Sequence, residues 1–176
     1  MGIDEQYFKR FGLKQKGMAA DINALEACKS LIIEHNLKAI LDCGSGLSTA
    51  FFNQNFVEVT SVDDDHNWAA NSQQFVQEAL GKHIEIFSIP DILEKSFDFT
   101  FYDYGDMETR IYYLKLIIHL SKKFIYLDDM HIDYYSCYVN SILRDEYKLT
   151  VLDEYVDEFG RYGALLEKLN YETNLK

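Results

Sequence analysis

The chain has 176 residues, 48% of them hydrophobic, with a formal net charge of −12 and a sequence pI near 4.7. That length and apolar content suit one globular domain and argue against disorder. The acidic balance weighs against a nucleic-acid or anionic-membrane partner, because binding phosphates needs a basic face and the densest basic pair is Lys122-Lys123.

No apolar run is long enough for a membrane span, which needs roughly 18 residues. Met1 to Glu5 is too polar for a signal peptide. Cys28, Cys43 and Cys137 are odd in number and widely spaced, and are expected as core thiols in a reducing cytoplasm. Cytoplasmic localisation is the expectation. With one proline, Pro90, and no Gly/Ser-rich stretch, no linker is visible. The expected organisation is a helical lead-in over residues 1–36 packed on a core of residues 37–176, one domain in all.

In chain order, residues 19–35 read as a helix with Ala20, Ala24, Ala27, Cys28, Leu31 and Ile32 on one face. Residues 38–43 follow as a strand. Then come Gly44-Ser45-Gly46 and the opening of a helix. Strands are predicted at 57–62, 83–88, 97–102 and 123–128. Their near-continuous apolar character suits a buried parallel sheet. Helices are predicted between them at 66–80 and 107–120, and after them at 132–145. The alternation predicts an α/β sandwich with right-handed crossovers. Residues 147–152 and 161–168 break the rhythm and predict an antiparallel terminal hairpin.

The glycines of the Gly44-Ser45-Gly46 loop allow a tight turn and close approach to a ligand. Asp42 stands two residues before Gly44, where a carboxylate can accept from a ligand ammonium. Asp63 ends the second strand about 20 residues on, where dinucleotide folds place a ribose-binding acid. It is expected to project from the strand end and to matter little for stability. Asp65 is predicted to cap the helix of His66-Asn67-Trp68, and Asp106 the helix near Met107. A nicotinamide dinucleotide fold would want a third glycine where Thr49 stands.

The acid-x-Gly-x-Gly pattern after an apolar strand resembles motif I of the class I S-adenosylmethionine-dependent methyltransferases. The resemblance extends over nearly the whole chain: the acid after strand two, the polar segment Ser88-Ile89-Pro90-Asp91 after strand three, Asp103 after strand four, and the terminal hairpin. It implies a three-layer sandwich around a seven-stranded, mostly parallel sheet of order 3-2-1-4-5-7-6 with strand seven antiparallel. It implies S-adenosylmethionine as cofactor. Asp42 and Gly44 would then lie by the methionine part, Ser45 and Gly46 would form a backbone cradle, and Asp63 would hold the ribose. Asp64, Ile89 and Asp91 would be candidates for the adenine edge.

Asp103, Asp128, Asp129 and His131 are expected at the carboxyl ends of strands four and five. These segments look like those of catechol-type O-methyltransferases, and Lys16-Gly17 fits that comparison. That group binds Mg²⁺ with acids at matching places, and Asp103, Asp128 and Asp129 would be the ligands here. The comparison breaks where Asp106 replaces the expected lysine and where Asp129 replaces an amide ligand. A metal-free site is therefore expected, with Asp103 orienting an acceptor and Asp129 and His131 as further catalytic candidates. Tyr104 and Tyr134 are candidates to line an acceptor pocket.

The expected activity is methyl transfer to a small-molecule acceptor, held by short loops, by a second copy in a homodimer, or by another protein. The alternatives are a Mg²⁺-dependent catechol-type enzyme, a non-catalytic interaction module of the same fold, and an NAD-dependent oxidoreductase.

Overall fold

The computed structural model describes residues 1–13 and 17–169. Lys16, singled out in the sequence, lies outside them. The helices are α1 (Ile3–Phe11), α2 (Ile22–Glu34), α3 (Leu47–Asn55), α4 (His66–Leu80), α5 (Met107–Leu120) and α6 (Asp133–Ile142). The strands are β1 (Ile40–Cys43), β2 (Val59–Val62), β3 (Ile86–Phe87), β4 (Phe97–Tyr102), β5 (Ser121–Leu127), β6 (Tyr147–Val151) and β7 (Ala164–Lys168). They form one sheet of order β3-β2-β1-β4-β5-β7-β6. Pairing is parallel from β3 through β5, and β7 runs antiparallel to both β5 and β6.

The two-residue period of the strands divides the core into two layers. Ile40, Phe99, Phe101, Phe124 and Tyr126 face one side, against Tyr7 of α1, Leu25 and Cys28 of α2, Phe51 and Phe52 of α3, and Phe75 of α4. Leu41, Cys43, Tyr102, Ile125 and Leu127 face the other, against Leu114 and Ile117 of α5 and Tyr135 and Val139 of α6. Burial on both faces explains why the central strands read as unbroken apolar runs. Phe101 and Tyr126, paired in register, stack with ring centroids 4.8 Å apart.

Element limits differ from the sequence reading where side chains take over backbone bonds. The first strand starts at Ile40 and not at 38, because Lys38 N and Ala39 N both donate to Asp98 Oδ2. Helix α2 starts at Ile22 and not at 19, because Asp21 caps it by accepting from Asn23 N and Ala24 N. The edge strand β3 shrinks to two residues, paired only with Ser61 and Val62. The last strand starts at Ala164, since Asp157 and Arg161 build a turn of their own ahead of it. Cys28 and Cys43 are buried as expected, but Cys137 is exposed on α6.

Asp65 caps α4 as predicted, accepting from Asn67 N at 2.9 Å and Trp68 N at 3.1 Å. Replacing it with alanine leaves those donors without their partner and should cost about 1 kcal/mol. The expected readout is a fall in melting temperature of about 2–4 °C, the scale for a chain of this size. An unchanged melting curve would mean the cap contributes nothing.

Candidate active site

Because β1, β2, β4 and β5 are parallel, their carboxyl ends deliver four loops to one edge of the sheet. Those loops hold Gly44 to Gly46, Asp63 to Asp65, Asp103 to Asp106, and Asp128 with Asp129. A cleft of about 610 Å³ opens there, and Gly44, Ser45, Asp63, Asp64, Trp68, Asp103, Arg110 and Asp129 are among its walls. A smaller hollow of about 100 Å³ adjoins it beneath α1, bounded by Tyr7, Gly46, Ser48 and Asp103.

The glycine loop is fixed to the neighbouring strand ends. Gly44 N donates to Val62 O and Asp103 N to Cys43 O, both at 2.9 Å. Gly44 has φ +92°, and a Cβ there would stand 1.8 Å from the Asp103 carbonyl oxygen. Only glycine satisfies both the backbone angle and the contact. Trp68, on α4, donates its indole N–H to Ser45 O at 2.6 Å and so supports the loop from the outside.

Asp42 sits lower than the sequence suggested. It shares the face of Ile40, is fully buried, and does not line the cleft. Its Oδ2 accepts from Thr49 Oγ1 at 2.5 Å, and that same hydroxyl accepts from Gly46 N at 3.1 Å. Its Oδ1 has no hydrogen-bond partner among the described residues. Asp42 therefore reaches the loop through Thr49. Burial, partly offset by the Thr49 bond, pushes its pKa up to about 7.

Asp63 corrects another expectation. It is only 7% exposed and holds the loop directly. Oδ2 accepts from Ser45 N at 2.6 Å and from Ser45 Oγ at 2.5 Å, while Oδ1 accepts from Asp65 N at 2.8 Å. A carboxylate with three such bonds is part of the fold, so its loss must cost stability. Asp64 lies beside it on the cleft wall, its pKa raised by burial and by neighbouring acids. Ile89 is buried in the core, and Asp91 accepts from Ser88 N and Oγ to close a short 3₁₀ turn; neither borders the cleft. Tyr104 is buried and Tyr134 exposed, and neither borders it.

On the opposite wall stands Arg110 of α5, 3% exposed and missed in the sequence. Its Nη2 donates to Asp103 Oδ1 at 2.5 Å and its Nη1 to Asp129 Oδ2 at 2.8 Å. Burial disfavours its charge, but Asp103 and Asp129 outweigh that and keep the guanidinium protonated. Burial also raises the Asp103 pKa against the pull of Arg110, and raises that of Asp128, where Asp103 and Asp129 add to the effect. Asp129 holds φ +57°, rare for a residue with a side chain. His131 Nδ1 lies 3.7 Å from Asp129 Oδ1, too far for a hydrogen bond. Asp128 does not cap the next helix, which starts at Asp133 behind Ile132 without a side-chain cap.

A signal for Arg110 was present. Residues 110, 114 and 117 share one helical face, and a charge on an apolar stripe has to find a partner. Asp106 caps α5 through Thr109 N, as predicted. The rim is closed by Arg161, which donates to Gly17 O at 2.9 Å and Ala19 O at 3.0 Å.

No family model and no curated protein matches the sequence. Solved structures do. An O-methyltransferase from Bacillus cereus in complex with S-adenosylhomocysteine superposes with TM-score 0.74 at 17% identity, covering 93% of this chain and 88% of that one. The O-methyltransferase TomG from Streptomyces achromogenes, involved in tomaymycin synthesis and bound to S-adenosylmethionine, gives 0.74 at 14% identity over 94% and 88%. An rRNA methylase from Streptococcus thermophilus gives 0.63 at 15% identity over 85% and 99%. The chain has the class I S-adenosylmethionine-dependent methyltransferase fold.

The burial of Asp42 predicts a pH effect. Its raised pKa means the folded state binds more protons than the unfolded chain between about pH 4 and 7, so this group lowers stability as pH rises through that window. Asp42→Asn keeps an acceptor for Thr49 without the charge. The stability of the variant relative to wild type should therefore grow from pH 4 to pH 8, by at most about 4 kcal/mol. Denaturant melts across that range measure it, and a difference independent of pH would rule out the shifted carboxyl.

Proposed function

We propose that the chain transfers a methyl group from S-adenosylmethionine to a small-molecule acceptor, without a divalent metal at the reacting centre. The observation that carries this is the strand-end cleft, where the glycine loop, Asp63 and Asp103 converge within the class I fold. Its size is within the range of small-molecule sites, about 300–1,000 Å³.

The residues present suit the cofactor. Asp63 already accepts two bonds from Ser45 at Oδ2 and one from Asp65 at Oδ1, so Oδ1 retains capacity for a ribose hydroxyl. The backbone of Gly44, Ser45 and Gly46 offers the cradle, kept in shape by Thr49 and Asp42 from below. Asp64 takes the adenine edge in this reading, since Ile89 and Asp91 stand away from the cleft. The charge also agrees. Among the described residues lining the cleft, Asp63, Asp64, Asp65, Asp103, Asp106 and Asp129 face only Arg110 and Arg161. Such a field favours a cationic ligand and opposes polyphosphate, which supports a small acceptor over RNA.

When bound, S-adenosylmethionine supplies an electrophilic methyl carbon on a sulfonium. The protein then has to align the acceptor and exclude water. Asp103, with one oxygen held by Arg110 and its side chain 23% exposed, offers its other oxygen to a hydroxyl or amine of the acceptor. Asp129 orients Arg110, while His131 is not among the residues lining the cleft. The donor set does not suit Mg²⁺, because Arg110 already takes an oxygen of Asp103 and one of Asp129.

Calorimetry tests the reading. S-adenosylhomocysteine should bind and NAD should not. Tight NAD binding with no binding of either sulfur compound would replace the proposal with an oxidoreductase, and S-adenosylhomocysteine binding without turnover of any acceptor would favour an interaction module. Asp63→Ala, checked for folding by circular dichroism, should weaken S-adenosylhomocysteine binding about 10- to 150-fold. Unaltered affinity in the folded variant would place the ribose elsewhere.

A further inference from the structure

We infer that Arg110 occupies the place of a divalent cation among Asp103, Asp128 and Asp129, so that the three acids become a metal site only when Arg110 is removed. This deepens the metal-free reading above and rests on it, but not on the identity of the cofactor.

One carboxylate oxygen from each acid lies within 4.8 Å of the others. Oxygens sharing one Mg²⁺ each stand about 2.0–2.1 Å from the ion, so small movements of these side chains would let one hard cation bridge them. In this protein the bridge is made by a guanidinium. Its two terminal nitrogens contact Asp103 at 2.5 Å and Asp129 at 2.8 Å, and its remaining bonds run to Tyr104 O at 3.5 Å and Gly105 O at 3.4 Å. All four partners belong to the loops at the ends of β4 and β5. The helix backbone that carries it is anchored as well, since Tyr102 donates its hydroxyl to the main-chain carbonyl of Arg110 at 2.7 Å.

A divalent ion entering here would have to displace N–H donors from two carboxylates while standing beside a buried positive charge. Both costs oppose it. Arg110 holds its positive charge beside the acids permanently, because arginine does not lose its proton in proteins. It also cannot do what a metal does, which is to open coordination positions to two oxygens of an acceptor at once. Acceptors with adjacent hydroxyls therefore gain no chelation here.

The test uses Mn²⁺ as the probe, with loss of its free electron-paramagnetic-resonance signal as the readout. Wild type should bind Mn²⁺ only weakly and without saturation. Arg110→Met, which keeps bulk and removes the charge and donors, should bind at least about tenfold more tightly, since one repulsive charge is gone and the oxygens are free. Adding Asp129→Asn to that variant should abolish the gain, and Arg110→Lys, still cationic, should bind as weakly as wild type.

Mn²⁺ should also raise the melting temperature of Arg110→Met and leave wild type unchanged. If Arg110→Met folds only in the presence of Mn²⁺, the inference stands; if Mn²⁺ neither binds nor rescues it, the inference fails. Saturable Mn²⁺ binding by wild type that disappears in Asp129→Asn would overturn it too. Neither failure depends on whether S-adenosylhomocysteine binds.

Discussion

The contact on which the site depends is the approach of Gly44 to the carbonyl of Asp103. Two adjacent parallel strands end at the same height, and their following loops turn against each other with no room for a methyl group between them. From that contact the rest is positioned. The glycine loop can then present Ser45 to Asp63 and Gly46 to Thr49. On the other side, Asp103 is brought to Arg110. The sheet supplies the alignment and the missing Cβ allows it. A larger residue at position 44 would push the β1 side and the β4 side of the cleft apart.

Electrostatics then divide the site into two halves held by different means. On the β1–β2 side, carboxylates are held by neutral donors: two backbone amides and a hydroxyl for Asp63, a hydroxyl for Asp42. The β4–β5 side is held by a buried cation between two acids. The first arrangement leaves net negative charge facing the cleft, and in the second one guanidinium offsets one of the two carboxylates it contacts. A positively charged ligand is therefore drawn toward the glycine loop and away from Arg110. Asp129, forced into a left-handed backbone angle, shows that the second half was built at a local conformational cost.

The fold was legible because every strand of the sheet's centre is buried on both faces, and such strands announce themselves as apolar runs. The glycine loop and the acids after β1, β2, β4 and β5 were legible for a related reason: turn chemistry and strand ends are local in sequence. What could not be read was depth. Whether an acid at a strand end points into the cleft or under a loop depends on the face it shares, and Asp42 went under while Asp103 faced the cleft. Ile89 and Asp91 stand away from the cleft for a similar reason, because after the two-residue edge strand β3 Ile89 turns into the core and Asp91 to the surface. Arg110 lies on a helix only five to seven residues past Asp103, Tyr104 and Gly105, whereas Tyr7 lies on a helix far in sequence from the glycine loop it meets. For Arg110 the misplaced charge on an apolar stripe was a usable sign. For Tyr7 the sequence held none, since nothing local says where α1 docks.

The rim of the cleft is tied by Arg161, which bonds to the carbonyls of Gly17 and Ala19 from sequence separations of 144 and 142 residues. During synthesis the strands β1 to β5 emerge, with all the acids of the cleft, well before Arg161 does. The joint between the two ends of the chain can form only when the terminal hairpin folds, and closing so long a loop is a late event. The newborn sheet therefore carries its acids in an open trough first, and it acquires a rim when the last strand pair is laid down.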